Sequence, residues 1–137
     1  MAKITINATI DSMAQVAGFV EEQLESMGCP MKTQMQIAIA VDELFSNIAR
    51  YAYPDGTGEA VVCVEKLEDP PAAAVTFIDW GTPYDPLAQK DPDTTLAAED
   101  REIGGLGIFL VKKSMDDVRY EYRDGQNVLT IVKKLPA

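Results

Sequence analysis

Glu43 and Asn47 stand four residues apart in a stretch, Thr33 to Ala52, that contains neither Gly nor Pro. On a helix that spacing puts a carboxylate and an amide on one face. Arg50, seven residues after Glu43, lies close to the same line, whereas Leu44, Phe45 and Ile48 face elsewhere. Such a carboxylate can take a proton from a hydroxyl, and an amide oxygen suits a hard cation such as Mg²⁺. Taken alone, the pair also reads as a solvated helix face. A second group is Asp79-Trp80-Gly81-Thr82-Pro83-Tyr84-Asp85-Pro86. A carboxylate at a strand end can accept from the amino group of a planar base, and a following Gly lets a ring approach the backbone. The plain alternative is a turn. A third is Gly104-Gly105-Leu106-Gly107 ahead of an apolar helical run. Free N–H groups and the dipole at a helix start favour phosphate. A hinge before a helix would look the same, and no Gly-Lys-Ser/Thr follows as a Walker loop requires.

Composition narrows what these groups can serve. The 137 residues suit one domain, and 47% of them are hydrophobic, enough for a core without staples. Twelve basic and 22 acidic residues leave a net charge of −10. Nucleic-acid binding draws its affinity from Lys and Arg on phosphates, so this balance argues against it, and equally against anionic lipid. Local backbone N–H groups can still hold a nucleotide. There is no histidine, which excludes Ser-His-Asp and Cys-His catalysis, histidine phosphorylation on this chain and most zinc sites. Cys29 and Cys63 fit no metal spacing and read as free thiols of a reducing cytosol. MAKITINATI is already strand-like rather than a signal peptide, and no apolar run approaches a membrane span, so a cytoplasmic chain is expected.

The elements that must position these groups can be read from periodicity. Residues 3–10 alternate as a half-buried strand, with Ile4, Ile6, Ala8 and Ile10 on one side. Asp11 and Ser12 offer N-cap oxygens to a helix ending near Met27, where Gly28 suits the left-handed C′ position. The second helix spans about Thr33 to Ala52, ended by Tyr53-Pro54-Asp55-Gly56. EAVVCVEK (59–66) and AAVTFID (73–79) form an antiparallel hairpin. From about 82 to 105 the pattern disappears into a Pro-rich, acidic segment that reads as a lid. A helix follows, and strands over 117–122 and 126–134 pair through Arg123-Asp124-Gly125. The fold class is α+β: a two-layer sandwich with a mixed, mostly antiparallel sheet covered on one face by about three helices.

In this order and spacing the three groups resemble the N, G1 and G2 boxes of the GHKL ATPase superfamily, and within it the anti-sigma-factor serine/threonine kinases. ELFSNIARYAYP, DWGTPYDP and GGLGIFLVKKSMD carry the resemblance, which covers residues 5–134. It implies the Bergerat ATP-binding fold, with ATP and Mg²⁺ as cofactors. Asn47 would ligate Mg²⁺ and Glu43 would be the general base. Asp79 would accept the adenine amino group, with Gly81 allowing close approach. Gly105, Leu106 and Gly107 would hold phosphates, and Arg50 would assist them. Asn127 and Thr130 stand near a family Thr that belongs to the nucleotide site. Pro83 replaces a frequent second Gly, and Tyr51 stands where His is frequent.

The implied function is phosphorylation of an anti-anti-sigma (STAS-type) partner and sequestration of a sigma factor. Two alternatives stand beside it: an ATP-gated binding module without kinase activity, and the detached ATP-binding domain of a sensor histidine kinase. A homodimer is compatible with the first strand and helix offering an edge.

Overall fold

Residues 1–88 and 105–136 are described by the structure, a computed structural model. Within them the chain runs β1 (Ala2–Asn7), α1 (Met13–Ser26), α2 (Met31–Tyr51), β2 (Glu59–Leu67), β3 (Ala72–Asp79), α3 (Gly105–Ser114), β4 (Asp117–Arg123) and β5 (Gln126–Lys134). The five strands form one sheet in the order β1-β2-β3-β5-β4, and every pairing among them is antiparallel. The expected parallel admixture is therefore absent among the described residues. A hairpin requires an antiparallel pair, and β5 enters beside β3 in that same sense.

Alternation along each strand sorts side chains onto two faces. Register aligns Ile4, Val62, Phe77, Leu129 and Tyr120 across the sheet on the face toward the helices. Val16, Val20 and Leu24 of α1 and Ile37, Val41, Leu44 and Phe45 of α2 close over that face. The other face presents the row Lys3, Cys63, Thr76, Thr130 and Arg119. Phe77 is 1% exposed at the centre of the inner row. Phe77→Ala is expected to remove about 3–5 kcal/mol of stability. Urea denaturation measures this, and a loss below about 1 kcal/mol would show that the core does not centre there.

Local chemistry explains where elements start and stop. Gly28 has φ +75°, with its N–H on the Glu25 carbonyl at 3.0 Å and the Cys29 N–H on the Leu24 carbonyl at 3.0 Å. This Schellman arrangement ends α1 as expected. Asp124 (φ 55°) and Gly125 (φ 79°) make a two-residue turn between Arg123 and Gln126, the conformation that Asp-Gly hairpins favour. Two expectations fail. The first strand stops at Asn7 rather than residue 10: one further rung, from the Ala8 N–H to the Gly58 carbonyl, follows in register, and the Thr9 N–H then folds back onto the Asn7 carbonyl. Ile10 is consequently half-exposed in a 3₁₀ turn, Ile10–Ser12. Ser12 does not cap α1 either. It already has helical angles, φ −85° and ψ −7°, and its hydroxyl pairs with that of Thr9 at 3.2 Å. An N-cap needs extended backbone there.

Cys29 and Cys63 are buried free thiols, and burial pushes both above the usual thiol range. No described helix is long and apolar enough to cross a membrane.

Candidate functional site

α2 begins two residues earlier than expected. Pro30 has its φ set near −61°, and its carbonyl accepts the Gln34 N–H at 2.9 Å. The Gln34 side chain returns to the Cys29 carbonyl at 2.8 Å. Leu44 and Phe45 anchor the helix on the sheet, so its flank is held at a fixed height above the end of β3. A pocket opens between that flank and the sheet. Asn47, Ile48 and Tyr51 line it from α2, Asp79 from β3, Tyr120 from β4 and Asn127 from β5. Among the described residues the Asn47 amide makes no hydrogen bond.

Asp79 is buried at the end of β3, at the level where Asn127 of β5 pairs with it. Its Oδ1 accepts from the Gly81 N–H at 2.9 Å and from Asn127 Nδ2 at 2.9 Å. Asn127 Nδ2 also donates to the Thr82 carbonyl at 3.1 Å, and its Oδ1 accepts from the Tyr84 N–H at 3.1 Å and from the Tyr120 hydroxyl. Tyr53, just past the end of α2, fastens the same strand end. Its hydroxyl donates to the Glu59 carbonyl at 2.7 Å and accepts the Trp80 N–H at 2.9 Å. Burial raises the Tyr53 hydroxyl above its ordinary pKa, Asp79 and Glu59 add to this, and the Trp80 N–H opposes it.

Gly81 has a role the sequence did not reveal. A Cβ at this position would overlap the backbone carbonyl of Ala52, which accepts the Thr82 N–H at 2.8 Å. Its missing side chain therefore lets the end of β3 lie against the end of α2.

Glu43, one turn before Asn47 on the same face of α2, borders a neighbouring groove. A Cβ on Gly107 would overlap its carboxylate, so its head group rests on the first turns of α3. Glu43, Arg50 and Gly107 share a groove with Ile10, Ile39 and Leu110, beside the pocket that holds Asn47 and Asp79. Arg50 is exposed and makes no ion pair among the described residues. Gly105 and Leu106 form the start of α3, while Gly104 lies outside the described residues.

The expected lid falls into two parts. Thr82, Tyr84 and Pro86 belong to the pocket wall, and Pro86–Ala88 form a 3₁₀ turn, with the Leu87 N–H on Asp85 Oδ1 at 2.9 Å. Residues 89–104 lie outside the described residues. Thr130 does not join the site. Asn127, Leu129 and Ile131 face the helices, so alternation turns Thr130 to the far face, where its hydroxyl meets that of Thr76 at 3.0 Å. The sequence reading missed Tyr120, Tyr84 and Tyr53. The inward phase of Val118 and Tyr120 on β4 was the signal available for the first.

Among the described residues no cluster of three or more His, Cys, Asp or Glu could hold a metal ion. What this arrangement offers is an amide without a hydrogen-bond partner among the described residues and a half-satisfied carboxylate around one concavity, with a second carboxylate and a helix start in the groove next to it.

Residues 6–133 match the family model described as histidine kinase-like ATPase domain. The chain is 31% identical over 125 residues to the serine-protein kinase RsbW of Listeria monocytogenes, covering 88% of this chain and 73% of that protein. It is 26% identical over 100 residues to the serine/threonine-protein kinase BtrW of Bordetella bronchiseptica, covering 73% of this chain and 70% of that protein. In fold it resembles the RsbU and RsbW domains of Rv1364c from Mycobacterium tuberculosis, with a TM-score of 0.68 at 19% identity. That match takes in all of this chain but only 34% of the other. It also resembles a chain of the SiaB-SiaC complex from Pseudomonas aeruginosa, with a TM-score of 0.58 at 16% identity, over 96% of this chain and 89% of that one.

Proposed function

The chain belongs to the histidine kinase-like ATPase domain family, and from that premise we propose that it is an ATP-dependent serine/threonine protein kinase of the anti-sigma type. Its protein substrate is a STAS-type anti-anti-sigma partner, its captive is a sigma factor, and it works in the cytoplasm as one domain, with pairing of two copies compatible. The relatives named for serine-protein kinase activity support the reaction class. The observation that carries the reading is the shared pocket of Asn47 and Asp79, with Glu43 one helical turn away on the same helix.

Asp79 Oδ2 makes no hydrogen bond among the described residues, and no fully buried side-chain oxygen there lacks a partner. Oδ2 is therefore open to the pocket and placed to accept the adenine amino group. The Asn47 amide oxygen fits a hard cation that keeps its other ligands from water and phosphates, which is how Mg²⁺ is usually held. Bound Mg²⁺ would offset phosphate charge. The start of α3, from Gly105 to Gly107, directs backbone N–H groups toward the phosphates, and Arg50 adds a positive charge at the rim. Glu43 accepts the proton of the attacking Ser or Thr hydroxyl.

One observation favours a second reading. Glu43 lines the groove and not the pocket, which suits a module that binds ATP and grips a partner without transferring phosphate. The protein has a single tryptophan, Trp80, adjoining Asp79, whose fluorescence is the readout for nucleotide titration. Titration with ATP, with and without Mg²⁺, should show tighter binding with the ion in wild type. Asn47→Ala should lose that Mg²⁺ dependence, by tenfold or more. Equal Mg²⁺ dependence in both proteins would remove Asn47 from the metal site, and no binding by wild type would overturn the nucleotide reading.

A further inference from the structure

We infer that Asn127, held by Tyr120, is a positioning residue that fixes the Asp79 carboxylate for reading adenine and does not itself touch the nucleotide. The inference rests on the proposed ATP site for the identity of the ligand, and on hydrogen-bond stoichiometry for everything else.

An Asn amide offers two N–H donors and one oxygen with two lone pairs. In Asn127 all four are committed. The N–H groups go to Asp79 Oδ1 at 2.9 Å and the Thr82 carbonyl at 3.1 Å. The oxygen receives the Tyr84 N–H at 3.1 Å and the Tyr120 hydroxyl. No lone pair or N–H remains for a ligand. The amide also has a single workable orientation. Reversed, its oxygen would face the Asp79 carboxylate and the carbonyls of Thr82 and Gly81, the latter 3.4 Å from Nδ2, and its NH₂ would face the Tyr84 N–H, which cannot accept.

The consequence falls on Asp79. With Oδ1 held by Asn127 and by the Gly81 N–H, the carboxylate plane cannot turn, and Oδ2 is left as the one oxygen presented to the pocket. Adenine meets that oxygen with an amino group. Hypoxanthine meets it with a carbonyl, which a fixed carboxylate rejects and a freely turning one rejects less. Adenine selectivity therefore depends on residues that never reach the base.

The test compares ADP with IDP, followed by Trp80 fluorescence, in wild type, Asn127→Asp and Tyr120→Phe. Asn127→Asp keeps the shape and places a carboxyl against Asp79 Oδ1. Two adjacent carboxyls share one proton, so one of them titrates above the usual range. Below that pKa the proton restores a donor to Asp79; above it, two like charges drive Asp79 aside. The titratable groups around this pair are Tyr120, whose hydroxyl bonds Asn127, and Tyr53, on which Asp79 acts; Asp85 and Tyr122 act in turn on Tyr120, and Glu59 on Tyr53. Burial keeps the Tyr120 and Tyr53 hydroxyls above their ordinary pKa, so both remain protonated from pH 5 to 8.

At pH 8 Asn127→Asp should bind ADP roughly tenfold or more weaker, the scale of one charge-assisted hydrogen bond, and IDP within about twofold of wild type. Its ADP affinity should recover as the pH falls toward 5, while wild type stays level. Tyr120→Phe, which removes only a hydroxyl, should narrow the ADP-to-IDP ratio by about threefold without that pH dependence. Equal losses for ADP and IDP, an Asn127→Asp profile without recovery at low pH, or an unchanged ratio in both variants would each overturn the inference while the nucleotide reading stands. Failure of wild type to bind ADP would instead overturn the nucleotide reading and take this inference with it.

Discussion

Glu43→Gln is expected to lower phosphate transfer to a STAS-type acceptor by about 10²- to 10⁴-fold, the range assigned to a positioned general base. Gln keeps the length and planarity of Glu, so it can rest on Gly107 as the carboxylate does. What it cannot do is accept a proton. The loss should therefore fall on kcat and leave the affinity for ATP within about twofold, because Glu43 lines the groove beside the nucleotide pocket and not the pocket itself. Transfer of labelled phosphate to the acceptor, with Trp80 fluorescence as the binding control, separates the two quantities. Unchanged transfer would remove Glu43 from catalysis. Partner capture that depends on ATP, with no transfer by wild type, would select the binding-module reading.

Gly81→Ala should be the most damaging single methyl group in the pocket wall. The added carbon would meet the carbonyl of Ala52, which is main chain at the end of α2 and has no rotamer by which to retreat. Relief requires the end of β3 to move off α2, which breaks the Thr82 N–H to Ala52 bond at 2.8 Å and shifts Asp79, two residues earlier. Forced overpacking of this kind costs about 1–3 kcal/mol and a lost hydrogen bond about 1 more. A fall of about 3 kcal/mol is expected in urea denaturation, a large share of a typical domain's total. ADP affinity should fall with it. A stable Gly81→Ala protein with wild-type affinity would show that the strand and helix ends are not packed as described. Gly107 makes a useful contrast. Its added carbon would meet only the far end of the Glu43 side chain, which can swing away.

Much of the fold was legible because its signals are local. α2 has no helix breaker and a clear apolar stripe, Gly28 and Asp124-Gly125 need special backbone angles, and β2 and β3 are rich in β-branched residues. The placing of Glu43 and Asn47 on neighbouring parts of one helix followed from the same regularity. Long-range pairing was not legible. Nothing near Asn127 says that β5 inserts between β3 and β4, yet that register alone sets it against Asp79. Thr130 was misplaced by nearness in sequence, although a three-residue step along a strand changes face. The packing of Gly81 on Ala52 was not legible either, because the two lie 29 positions apart. The first strand was drawn too long because alternation continued through Ile10, while the backbone turns at Thr9, whose N–H bonds back to the Asn7 carbonyl.

The sheet order also dictates when a newly made copy becomes competent. Synthesis delivers β1, β2 and β3 first, and until β5 emerges the far edge of β3 has no neighbour. Asp79 then waits for a partner 48 residues downstream. Contacts of such long separation form late and slow the folding of the chain that needs them. A ligand stabilises only the state that binds it, so nucleotide cannot rescue a nascent chain that still lacks its last two strands. Binding competence arrives only when β5 closes against β3.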